Sequence, residues 1–322
     1  MADSDPTFST ISLGFQLANC AANATANMVV AAVIIFGKEL RREKTLTLLS
    51  FYCFSDGLYA YGAFYLALRC FQATLWPDVF TMVPVQNCLL NPLHLFIVYA
   101  YTAVPLAELA LTVDRAIAIF FPTKYLRLDA RASLWTISGI VAFSFILVAY
   151  CIVDSWRDPG LMVHFGCYPE VYSSLFNELM FGGKATLYCI CCLAYLPIII
   201  RLMWLSGTHK KCTCRNCQLK KSCVYMGFLI LGLLVLVIIP TPLLLIFKHS
   251  QAVELLFYNM ALSKPWLNVI FALISFRQLR NVFSQSLGKL KNKGPLVSRV
   301  GPPRMENIGG DDEPKSTRQQ SV

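Results

Sequence analysis

The sequence predicts an all-α membrane protein, a bundle of seven transmembrane helices followed by a short amphipathic helix. Three observations carry this expectation. Hydrophobic residues make up 56% of the chain and charged residues only 14%, against about 25% charged in a soluble domain. Seven apolar stretches each come near the ~20 residues that cross a bilayer. Lys and Arg gather in alternate connections between those stretches, the asymmetry that orients a multi-pass chain.

Residues 1–8 are expected outside the membrane. They lack the basic start of a secretory signal, so insertion is expected to rely on the first apolar span itself. The predicted spans are Ser9–Gly37, Leu46–Leu68, Asn87–Phe120, Ala132–Val153, Ser174–Leu205, Ser222–Phe247 and Val253–Phe276. The first, fourth and sixth contain no charge. The second carries Asp56, the fifth Glu178 and Lys184, and the seventh Glu254 and Lys264, so hydropathy alone marks these less sharply.

Arg277–Leu290 places Leu279, Val282, Phe283, Leu287 and Leu290 at helical spacing among basic residues. That pattern suits a helix lying on an anionic lipid surface. The Gly/Pro-rich, charged stretch 291–322 is expected to be a disordered tail.

The net charge of +10 does not point to nucleic acid, because its distribution follows the loops. Lys38, Arg41, Arg42 and Lys44 follow the first span. Lys124, Arg127 and Arg131 follow the third, and Arg201, Lys210, Lys211, Arg215, Lys220 and Lys221 the fifth. The other side holds only Arg69, Arg157 and Lys248. The expected topology is therefore a plasma-membrane protein with its N-terminus outside and its C-terminus in the cytosol.

No catalytic set is evident, and neither a Gly-rich phosphate loop nor a zinc-protease or nucleophile-elbow motif occurs. An enzyme is not expected, nor is a cofactor. The paired broken helices of a transporter are missing from corresponding halves. His209, Cys212, Cys214 and Cys217 lie close together, but their spacing lacks a clean pair of Cys-x-x-Cys ligands. A basic, membrane-proximal loop, lipidated on cysteine, accounts for them better than a metal site.

Thr112–Tyr125, TVDRAIAIFFPTKY, sets Asp114 beside Arg115 at the mouth of an apolar span and leaves through Pro122. An acid–arginine pair there is costly unless water or another helix meets it. The stretch resembles the third-helix exit of the rhodopsin-like G-protein-coupled receptors, with Ala116 in place of the usual aromatic. The loose motifs and the Cys-rich YCICC run (Tyr188–Cys192) resemble nematode serpentine chemoreceptors in particular. The resemblance implies a receptor carrying an extracellular chemical signal to a cytosolic heterotrimeric G protein, with an arrestin-like protein as a further partner. A chemosensory role is the leading reading and a neuropeptide receptor the alternative. An amine receptor is disfavoured by Ile97 at the matching carboxylate position.

Residue by residue, the resemblance implies that Asp114, Arg115, Tyr195 and Asn268 serve coupling and activation. Val269 and Ala272 replace the Pro and Tyr that usually follow that Asn. Asn27 and Asp56 match buried polar positions, either packing the helices by hydrogen bonds or forming a network that rearranges on activation. The resemblance also implies a Cys88–Cys167 disulfide, with Cys70 as a competing thiol. Pro240 matches a hinge proline.

Lys264 lies four residues before Asn268, on the same helix face. It is expected to pair with Asp56; Glu108, seven residues before Arg115, is a rival partner, and snorkelling to water is the third reading. A retinal-binding role fails on spacing. A ligand pocket is expected from His94, Tyr101 and Glu178 by their outer-half placement. Asn23 opens an N-A-T sequon inside the first span, where glycosylation is not expected.

Overall fold

A computed structural model of the chain describes residues 6–38, 40–76, 82–156, 160, 162–164, 180, 182–208, 227, 231, 232, 234, 235, 239, 260, 263–270, 272–274, 276, 279–282 and 284. Residues Met1–Phe283 make one compact unit and Ser284–Val322 a second. Of the second unit only Ser284 is described, so the expected tail lies outside the described residues.

The described residues are helical apart from one two-stranded ribbon. Helix α1, Pro6–Phe36, starts on a proline, whose missing N–H is no loss in a first turn. It stops at Gly37, where an added Cβ would stand 2.9 Å from the Val33 carbonyl. A 3-10 turn, Leu40–Arg42, then leads into α2, Lys44–Leu75. The ribbon pairs β1, Met82–Pro84, antiparallel with β2, Met162–His164, setting Val83 opposite Val163.

The third predicted span is divided. Short helix α3, Val85–Leu89, precedes α4, Pro92–Phe120. The break has a local cause: the Asn91 side chain accepts the Leu93 N–H at 3.0 Å as an N-cap, and Pro92 occupies the first turn. Helix α5, Pro122–Arg127, restarts on a second proline, and α6 follows as Ala130–Ser155. Helix α7, Gly183–Thr208, covers most of the fifth predicted span; residues 174–179 of that span lie outside the described residues. An apolar helix, Ser263–Ile274, covers the later half of the seventh. Most of the sixth, Pro240 included, lies outside the described residues.

Among the described residues, four helices are long and apolar enough to cross a membrane: Ile11–Phe36, Pro92–Phe120, Ala130–Asp154 and Gly183–Trp204. Helix α2 is as long but less apolar, because its inward face carries Ser50, Ser55 and Asp56. Its surroundings explain that face, since α2 packs against α1, α4 and α6. Against α1, an added Cβ at Gly57 would lie 3.1 Å from Met28. Against α4, one at Gly62 would collide with Ile97 and stand 2.8 Å from the Leu93 carbonyl.

The crossing windows differ in burial, 61% within α4 against 22% in both α6 and α7, which makes α4 the central post. The outer faces of α6 and α7 expose Phe145, Ile146, Leu193, Ile200 and Met203. Apolar surface of that extent is unfavourable in water and well suited to lipid. A helix bonds most of its backbone polar groups internally, as hydrocarbon demands; Pro105 in α4 and Pro197 in α7 each remove one such bond.

Candidate functional site

Two charged clusters lie along α4. The first is deep in the bundle. Glu108 is fully buried, and its Oε2 accepts a hydrogen bond from Lys264 Nζ at 2.7 Å and one from the Tyr52 hydroxyl at 3.3 Å. Lys264 also donates to the Tyr188 hydroxyl at 3.3 Å. Asn268 Nδ2 donates to the Tyr52 oxygen at 2.9 Å and to Asp56 Oδ2 at 2.5 Å. One connected chain of polar groups thus runs from Lys264 through Glu108, Tyr52 and Asn268 to Asp56.

The spacing explains how few turns this takes. Tyr52 and Asp56, Lys264 and Asn268, and Tyr188 and Lys184 are each four residues apart, so each pair shares a helix face. The ion pair expected with Asp56 is made with Glu108 instead, and Asp56 receives the Asn268 amide. A carboxylate this deep in low dielectric needs a cation or several donors to remain. Glu108 has the cation, while Asp56 has the amide. Among the described residues, Glu108 Oε1, Asn268 Oδ1 and Asn27 Oδ1 have no hydrogen-bond partner.

Asn27 stays apart from this chain, its Nδ2 donating to the Asn23 carbonyl at 3.0 Å. Asn23 donates in turn to Asn19 Oδ1 at 3.1 Å, which also accepts the Trp266 indole N–H at 2.8 Å. This stripe ties α1 to the Ser263–Ile274 helix.

The second cluster closes the far end of α4. Neighbouring residues on a helix usually diverge, yet Arg115 Nη2 meets Asp114 Oδ2 at 2.5 Å. They converge because Thr45 of α2 lies between them. Its hydroxyl accepts from Arg115 and donates to Asp114 at 3.2 Å. The Tyr125 hydroxyl joins at 3.3 Å from Arg115 and 3.4 Å from Asp114. Lys44 lies on the other side of that ring, 3.1 Å from its centroid, and donates to the Tyr125 carbonyl at 2.5 Å. Burial lowers the Lys44 amine below the ordinary lysine range and raises the Tyr125 hydroxyl above that of free tyrosine. Arg115 is 5% exposed, so the corner is capped from its own side of the bundle.

Of the residues expected to line a pocket, His94 is buried on α4. Tyr101, seven residues on, meets Tyr59 edge-to-face at 5.7 Å between ring centroids; Glu178 lies outside the described residues. Tyr195 is buried on α7, its ring 3.6 Å from the place a Cβ on Gly227 would take. Cys88 is disulfide-bonded and Cys70 carries a thiol. Cys167, the expected partner, lies outside the described residues, three positions beyond β2. The same holds for His209, Cys212, Cys214 and Cys217.

Sequence reasoning missed Tyr52, Tyr188, Thr45 and Lys184. A signal for the α7 pair was present. Lys184, Tyr188, Cys191, Tyr195 and Ile198 recur at helical spacing, and the last four are buried. Compared with known proteins, the chain matches no family model, and no curated protein matches it.

Proposed function

We propose that the protein is a seven-helix receptor of the plasma membrane that relays an extracellular chemical signal to a cytosolic heterotrimeric G protein, most simply as a chemosensory receptor. The observation that carries this reading is the placement of two polar switches on one central helix. Glu108 and Arg115 are seven residues apart on α4, about 10 Å along its axis, and both face inward. Thr112 lies between them and donates to the Glu108 carbonyl at 2.9 Å. A ligand that favours another arrangement of the mid-bundle chain shifts the population of states at the Arg115 end. The basic loops supply the orientation, with Arg115 toward the cytosol.

The test uses the full-length protein in lipid nanodiscs with a purified G protein. Nucleotide exchange provoked by a library of small volatiles is expected in the natural protein and lost in Arg115→Ala, with ligand binding retained. Undiminished exchange in Arg115→Ala, or a C-terminal tag labelled on the outside of intact cells, overturns the reading.

A further inference from the structure

The two lysines that point into the bundle are not equivalent. Lys264 has a carboxylate and a phenol hydroxyl. Among the described residues, no acceptor or carboxylate stands within hydrogen-bond or ion-pair reach of Lys184, and Asp56 and Glu108 act on it only from farther off. What surrounds its amine is aromatic: the ring centroids of Tyr101, Tyr59 and Tyr188 lie 4.2, 5.2 and 5.9 Å away. Tyr188 is the wall the two lysines share, since Lys264 Nζ lies 4.6 Å from the same ring.

A well-placed aromatic face attracts an ammonium, but neutral rings offset only part of the cost of drawing a half-buried charge away from water without an anion. Lys184 is the second residue of α7, close enough to the helix end for its amine to snorkel outward. It turns inward to the tyrosines instead. The arrangement is a cation held ready among aromatic walls, complete except for one negative group. Glu108 already binds Lys264 and Asp56 the Asn268 amide, so among the described residues that place is open to the anion of a ligand.

We propose that Lys184, Tyr59, Tyr101 and Tyr188 form a binding site for a small monocarboxylate with an apolar or aromatic body. The carboxylate takes the Lys184 amine and the body lies along the tyrosine rings. A single ammonium in an apolar setting selects one negative charge, and the rings select against a strongly hydrated ligand. The site shares Tyr101 with the ligand pocket expected from the sequence, so in naming that ligand's class it rests on the receptor reading, but its test reads binding without any G protein.

The full-length protein in nanodiscs is titrated with phenylacetate and hexanoate, with phenethylamine, hexanol and chloride as matched controls, and thermal unfolding is followed. Both carboxylates are expected to raise the unfolding midpoint and the three controls to leave it unchanged. Lys184→Met is expected to weaken the carboxylate response roughly ten- to hundredfold, the range of a lost charge-assisted hydrogen bond, while Lys184→Arg retains most of it. A second measurement needs no variant: amine acylation read by mass spectrometry is expected to mark Lys184 in preference to Lys264, and phenylacetate to protect it. Equal stabilisation by amine, alcohol or chloride, an unchanged response in Lys184→Met, or labelling indifferent to phenylacetate each overturns the site. Carboxylate binding without G-protein activation defeats the receptor reading alone; activation by volatiles with no carboxylate binding defeats the site alone.

Discussion

The two charged clusters on α4 use the same chemistry in opposite settings. In the middle of the bundle, Lys264 and Glu108 come from elements far apart in sequence, and both are almost wholly buried. At the helix end, Asp114 and Arg115 are neighbours in the chain and only their surroundings are borrowed. The mid-bundle pair therefore depends on the bundle being assembled. The corner pair needs only Thr45 and Tyr125 to draw two adjacent side chains together. A buried pair is costly to break from one side, because the remaining charge has no water to return to. The corner pair is nearly as dry, its side chains 6% and 10% exposed, but Thr45 and Tyr125 stay beside either charge when the other is removed.

The contrast is put to the test most severely at Glu108. Glu108→Ala leaves Lys264 buried without its acid and is expected to cost about 3–5 kcal/mol, read as a fall in the thermal unfolding midpoint in nanodiscs. Glu108→Leu combined with Lys264→Met is expected to recover most of that loss. A double variant no more stable than Glu108→Ala alone would show that the two side chains do not act as a pair.

Asn268→Leu is the next largest. It strips Asp56 of its amide donor and Tyr52 of a partner, and is expected to cost about 1–3 kcal/mol. A loss as large as that of Glu108→Ala would erase the distinction between carboxylate with cation and carboxylate with amide.

At the corner, Thr45→Val removes the hydroxyl that gathers Asp114 and Arg115 and is expected to cost about 1 kcal/mol. Smaller again is Lys44→Met, at under about 1 kcal/mol. Its effect should shrink as salt rises from low ionic strength, because exposed charges are screened. Equal salt sensitivity of Glu108→Ala would place solvent where the structure has none.

Much of the fold was legible in the residues themselves. The charge-free runs became α1 and α6, and the long run before Asp114 became α4. The break at Asn91–Pro92 was also written there, as an N-cap followed by a helix-opening proline. It is easily passed over because no charge interrupts the run from Val79 to Ala107. The mid-bundle partners were harder. Spacing shows that Lys264 and Asn268 share a face, but not how far that face lies along α2 or α4 once the helices pack. One turn of axial offset, about 5.4 Å, decides whether Lys264 reaches Asp56 or Glu108. Lys184 stands out in the sequence as a charge within the fifth span but gains no partner there, because the tyrosines of α2 and α4 come around it only when the helices pack.

The missing side chain at Gly62 has a bearing on motion. The backbones of α2 and α4 approach so closely there that not even a methyl group fits, and Gly57 brings α1 nearly as close from the other side. Three helices locked at such points turn as one rigid wedge rather than sliding past each other. Glu108 travels with that wedge, so separating it from Lys264 falls to the Ser263–Ile274 helix, which the Trp266 indole hydrogen bond fastens to α1 at its outermost described turn.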